Sequence, residues 1–163
     1  MMTLCSDVLV CLKERTLATA ESCTGGGIGA AITAVPGASA VYKGGVICYS
    51  NWVKEHCLDV PADMLMKCGA VSEQVAIKMA VGVRKHLQAD VAVSVTGLAG
   101  PSGDEYGNPV GTVWIGYADQ QKSMAKVFAF KGEREEIRNQ AIRSALELIV
   151  LIYSAVQQER SLE

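Results

Sequence analysis

The run Asp90-Val91-Ala92-Val93-Ser94-Val95-Thr96 limits the fold more than any other stretch of the chain. It is apolar almost without a break, so as a strand it must be covered on both faces. That takes two layers of helix, and the flanking sequence supplies them. Leu4, Val8, Leu9, Cys11 and Leu12 fall at helical spacing. Thr16 to Ala20 is a short β-branched and apolar run, read as a buried strand. Gly25 to Ala34 is a helix of small residues stopped before Pro36. Val41 to Tyr49 reads as a strand with a bulge at Gly44-Gly45. Ser50 caps a helix over Trp52 to Leu58, and Pro61 opens another at its first position. Ser72 caps a longer helix on which Val75, Met79, Val83 and Leu87 line one face. Past the loop Gly97 to Pro109, Val110–Tyr117 and Met124–Phe130 form a hairpin around Asp119-Gln120-Gln121. Glu133 to Val156 is a long closing helix with acids early in it.

Helices between the early strands imply parallel crossovers, and the hairpin adds one antiparallel member. The expected class is α/β, a three-layer α/β/α sandwich around a mixed, mostly parallel sheet of about five strands. A chain of 163 residues makes one domain, placed at residues 1–160. Leu162-Glu163 resembles a cloning remnant.

Composition removes several function classes. The formal net charge is −2 and no basic run occurs, so no nucleic-acid partner is expected. The six cysteines (5, 11, 23, 48, 57 and 68) form no C-x-x-C pair. With only His56 and His86 beside them, no metal set can be written. Reduced thiols fit a cytoplasmic protein. Met1 to Leu12 contains Asp7 and lacks a basic start, so no signal peptide is read. No apolar run is long enough for a membrane. Pairing of apolar helices into a homo-oligomer stays open.

Three segments can carry chemistry. Glu21-Ser22-Cys23-Thr24-Gly25-Gly26-Gly27 joins a buried strand to a glycine-rich helix start, whose N–H groups can hold a phosphate or an oxyanion. Ser22 there is either a nucleophile beside its own oxyanion donors or a plain N-cap. Tyr49 ends a strand, and Lys54 lies one turn into the next helix, near the same sheet edge. Lys54 is either a buried general base or a solvated helix lysine. Thr96, Gly97 and Gly100 lie where the buried strand enters its long loop, suited to a ligand or simply to the turn. Neither histidine sits in a glycine-rich loop. Cys23 is a rival nucleophile, ranked below Ser22 for lack of a histidine partner.

Taken in order, these segments resemble the CinA C-terminal domain family, whose stand-alone members include nicotinamide-nucleotide amidases. The matching stretches are Ala20-Glu21-Ser22-Cys23-Thr24-Gly25-Gly26, then Gly44-Gly45-Val46-Ile47-Cys48-Tyr49-Ser50-Asn51 with Lys54, and Gly69-Ala70-Val71-Ser72-Glu73. They continue with Thr96-Gly97-Leu98-Ala99-Gly100-Pro101, Pro109-Val110-Gly111-Thr112-Val113-Trp114, and Gly132-Glu133-Arg134 with Arg138. The resemblance implies hydrolysis of the carboxamide of nicotinamide mononucleotide to nicotinic acid mononucleotide and ammonia, without a cofactor. It places the catalytic serine, tyrosine and lysine on Ser22, Tyr49 and Lys54. Thr24, Gly25, Gly26, Thr96, Gly97 and Gly100 are then expected around the mononucleotide, with Arg138 or Gln140 reaching its phosphate. Two positions depart from the family pattern. Asp104 stands where a second glycine is common, and Asn108 where a lysine often precedes Pro-Val-Gly-Thr. Two other readings remain, a non-catalytic nucleotide-binding module and an amidase for another carboxamide.

Overall fold

The computed structural model describes residues 1–160, and side chains as far as residue 155; Leu162 and Glu163 lie outside that range. A five-stranded sheet runs in the order β2-β1-β3-β4-β5. Strand β1 (Leu17–Glu21) pairs in parallel with β2 (Tyr42–Ile47) and with β3 (Val91–Gly97). Strand β4 (Thr112–Ala118) is antiparallel to β3, and β5 (Ser123–Ala129) is antiparallel to β4. Strand β4 alone therefore runs against the others, as the hairpin requires.

Helices α1 (Met2–Cys11), α2 (Gly27–Thr33) and α6 (Arg134–Arg160) cover one face. Helices α3 (Asn51–Leu58), α4 (Ala62–Cys68) and α5 (Glu73–His86) cover the other. Alternation along the strands divides their side chains by size. Leu17, Val91, Val93, Val95, Ile115 and Tyr117 enter the larger core, against Val8, Ile28, Ile137 and Leu146. Ala18, Ala20 and Ala92 face the smaller core of Leu58, Val75, Met79 and Val83. The small face lets α5 approach closely. Ser94 Oγ donates to Ala76 O at 2.6 Å, and a Cβ added at Gly116 would lie 2.3 Å from that oxygen.

Several boundaries differ from the sequence reading for local reasons. The bulge falls at Lys43, since Leu17 pairs with Tyr42 but Ala18 with Gly44. Strand β4 begins at Thr112, because Gly111 at φ +93° donates to Leu98 O and turns the chain. Pro61 is the N-cap of α4 and not its first residue. On α1 the fully buried positions are Cys5 and Val8, with Leu12 following. The carboxyl ends of the parallel strands β2, β1 and β3 lie side by side, and the loops leaving them build the site.

Candidate active site

Ser22 keeps the sheet register as the chain leaves β1, its N–H donating to Val95 O at 2.9 Å. Cys48 N likewise donates to Glu21 O at 2.9 Å, holding the end of β2 beside it. Ser50 Oγ then accepts from Val53 N and starts α3. One turn on, Lys54 projects back beneath the strand ends. Its Nζ donates to Ser22 Oγ at 3.0 Å and to Cys48 O at 2.7 Å. Lys54 is 1% exposed and Ser22 8%. No carboxylate meets the amine among the described residues, whose ion pairs are His86–Asp59 and Arg143–Glu147. Burial pushes the Lys54 pKa below its ordinary 10.5, a shift only partly opposed by the Cys48 and Cys23 sulfurs. A neutral Lys54 keeps one N–H on Cys48 O and turns its lone pair to the Ser22 hydroxyl.

The turn after Ser22 is held largely by its own chain. Gly25 N donates to Ser22 O at 3.1 Å and Gly27 N to Thr24 O at 3.0 Å. The buried Glu21 carboxylate accepts from Gly26 N (3.1 Å), Ile28 N (3.0 Å) and Gly29 N (2.9 Å), so the start of α2 is already occupied by an internal anion. Arg138 donates from Nε to Cys23 O at 3.0 Å and from Nη2 to Thr24 O at 3.2 Å. Thr24 is fully buried and its hydroxyl has no partner among the described residues. Of the five N–H groups from Cys23 to Gly27, those of Cys23 and Thr24 alone are undonated among the described residues. Burial pushes the Cys23 thiol up to about 11, which keeps it protonated near neutral pH. Gln140 Nε2 donates to Lys131 O and Glu136 O, stapling the first turns of α6, and does not line the cavity.

A cavity of about 320 Å³ opens over Ser22 and Lys54, bounded by Thr96, Gly97, Gly100, Tyr49 and Arg134. Thr96 Oγ1 donates to Ala70 O at 2.8 Å and ties β3 to the segment before α5. A Cβ at Gly97 would fall 2.6 Å from Val113 Cγ2. Tyr49 stands at the mouth, 64% exposed. Its hydroxyl accepts from Arg134 Nη2 at 3.1 Å and reaches neither Ser22 nor Lys54 among the described residues. Arg134 Nη1 also donates to Gly100 O. Sequence reasoning gave Arg134, Asn51 and Ser102 no role, yet all three line the cavity. Arg134 did carry one signal: an arginine in the first turn of a helix sits against the dipole, where acids are favoured. The two departures from the family pattern meet each other, since Asn108 Nδ2 donates to Asp104 Oδ2 at 2.8 Å and Asn108 N to Asp104 Oδ1 at 2.9 Å. His56 stacks on Trp52 and His86 pairs with Asp59, both away from the cavity lining. Among the described residues no group of three His, Cys, Asp or Glu could hold a metal ion.

Comparison with known proteins covers nearly the whole chain. The family model of the CinA C-terminal domain matches residues 3–152. A CinA-like protein of Cytophaga hutchinsonii is 47% identical over 141 residues, covering 86% of this chain and 33% of that protein. A putative competence-damage inducible protein of Desulforamulus reducens is 47% identical over 133 residues, covering 82% of this chain and 32% of that protein. The chain thus spans about a third of the length of these curated relatives. Among solved structures, a CinA superfamily protein of Klebsiella pneumoniae superposes with a TM-score of 0.91 at 34% identity, covering 94% of this chain and 98% of that one. One of Escherichia coli gives 0.88 at 34% identity, covering 93% and 88%. By family match, by identity and by shared architecture, the chain belongs to the CinA C-terminal domain family.

Proposed function

We propose that this protein is a serine amidase that hydrolyses the carboxamide of nicotinamide mononucleotide to nicotinic acid mononucleotide and ammonia. One observation carries the catalytic part: a buried amine, with no carboxylate partner among the described residues, lies 3.0 Å from a serine hydroxyl at the floor of a cavity. The substrate is supported by the family resemblance, by a cavity of about 320 Å³, and by the Arg134 cation at its mouth for an anionic group. The reaction draws on the chain's own groups, and six free cysteines fit a reducing compartment such as the cytoplasm.

Neutral Lys54 takes the Ser22 proton as Oγ attacks the amide carbon. The direct route is preferred to one through Tyr49, whose hydroxyl is turned to Arg134. The carbon–nitrogen bond breaks and the Lys54 proton leaves on the amide nitrogen as ammonia. An ester on Ser22 remains. Water attacks it, giving a proton to Lys54, which returns it to Ser22 as the acid departs.

The test follows ammonia release from nicotinamide mononucleotide, its riboside and free nicotinamide. Ser22→Ala and Lys54→Met should each lose at least about 10³-fold in kcat while keeping the parent's circular dichroism. Full activity in Ser22→Ala would overturn the serine mechanism. Tight binding of the mononucleotide without ammonia release would assign a binding module instead.

A further inference from the structure

Peptide planarity converts carbonyl contacts into N–H directions. In a trans peptide each N–H points opposite to the carbonyl of the residue before it. Arg138 Nε on Cys23 O therefore fixes the direction of the Thr24 N–H. Arg138 Nη2 on Thr24 O holds the next peptide, whose N–H closes the turn on Ser22 O. That closure in turn sets the Cys23 N–H. At the far end of the turn, Glu21 grips Gly26, Ile28 and Gly29. A guanidinium and a carboxylate thus hold the two ends, and neither has an ionic partner among the described residues. The N–H groups left undonated belong to the two residues directly after Ser22, and Cys23 lines the cavity.

We infer that Arg138 is a positioning residue: by holding the turn after Ser22 it aims the Cys23 N–H, at the cavity lining, at the oxygen of the acyl group attacked by Ser22, with Glu21 bracing the other end of the turn and Thr24 buried behind it. The inference rests on Ser22 being the nucleophile of the proposed amidase. It gives Arg138 a role in stabilising developing charge, distinct from that of a substrate-phosphate ligand.

The experiment uses Arg138→Met and Arg138→Lys, the latter keeping one donor. Steady-state kinetics are read on nicotinamide mononucleotide and on its dephosphorylated riboside. For Arg138→Met, kcat should fall about 10²-fold or more, equally on both substrates, with KM within about threefold. Labelling of Ser22 by an alkyl fluorophosphonate, whose phosphoryl oxygen needs the same Cys23 N–H, should slow in parallel. Arg138→Lys should recover part of both, and if the Met variant does not fold, the Lys variant is read in its place. A raised KM for the mononucleotide alone, with kcat intact, would make Arg138 a phosphate ligand and overturn the inference. Parent kcat in both variants, with Ser22→Ala inactive, would overturn it while leaving the amidase standing. An active Ser22→Ala would instead remove the amidase reading itself.

Discussion

The buried Lys54 amine makes the stability of the molecule depend on pH. Its folded pKa lies below the ordinary 10.5 because the amine is buried, and no carboxylate meets it among the described residues. Between those two values the unfolded chain holds one more proton than the native one, so stability rises with pH across that window. Below the window both states are protonated and the full cost of the buried ammonium is present. Lys54→Met should therefore gain most over its parent below the folded pKa of Lys54, with the gap narrowing toward pH 10.5. Urea midpoints at about pH 6 and about pH 10 check this; a constant gap would contradict it. The acid limb of kcat/KM should rise through the same ionisation, since the neutral amine is the proposed base. Ser22 and Lys54 became candidates because each sits at a strand-to-helix junction, but local sequence left Ser22 as a possible N-cap and Lys54 as a possible solvated lysine, and the family resemblance is what singled them out. Arg134 and Arg138 were harder, because spacing along a long helix does not say which turn reaches the site. Gln140 lies within the same helix and binds only local carbonyls.

At the scale of elements, α5 packs closely on the sheet at Gly116. Periodicity revealed the helix and its buried stripe, and the apolar run revealed β3. The closeness of the two was not readable, since it depends on Gly116, contributed by another strand and opposite Ser94. A lone glycine in a strand signals close approach without naming what approaches. Gly116→Ala forces a methyl onto the Ala76 carbonyl and against Ser94 Oγ. It should destabilise the protein by about 1–3 kcal/mol with an unchanged denaturant slope, read from urea unfolding. The shifted bulge at Lys43 is similarly non-local: it is set by pairing with β1, not by the Gly44-Gly45 dipeptide that drew attention to it.

Across the whole molecule, the two cores are the two faces of one sheet. Strand β1 gives Leu17 to one and Ala18 to the other, and β3 gives Val91 and Ala92 in the same way. Neither core survives loss of these strands, so unfolding should be one cooperative transition. Tryptophan fluorescence and far-UV circular dichroism should report the same urea midpoint; separated midpoints would show that the faces come apart independently. The class of fold was readable from the sequence because covering β3 on both sides leaves few alternatives. The order of the strands was not, because it is fixed by long-range pairing.

The three hydrogen bonds on Glu21 also bear on inhibitor chemistry. An anion aimed at the start of α2 competes with a carboxylate tethered to the same chain, and therefore present at high effective concentration. Compounds directed at the proposed nucleophile Ser22 are better drawn to arrive uncharged and become tetrahedral there, as boronic acids do. Any negative charge they carry belongs at the other end, where Arg134 faces the cavity mouth.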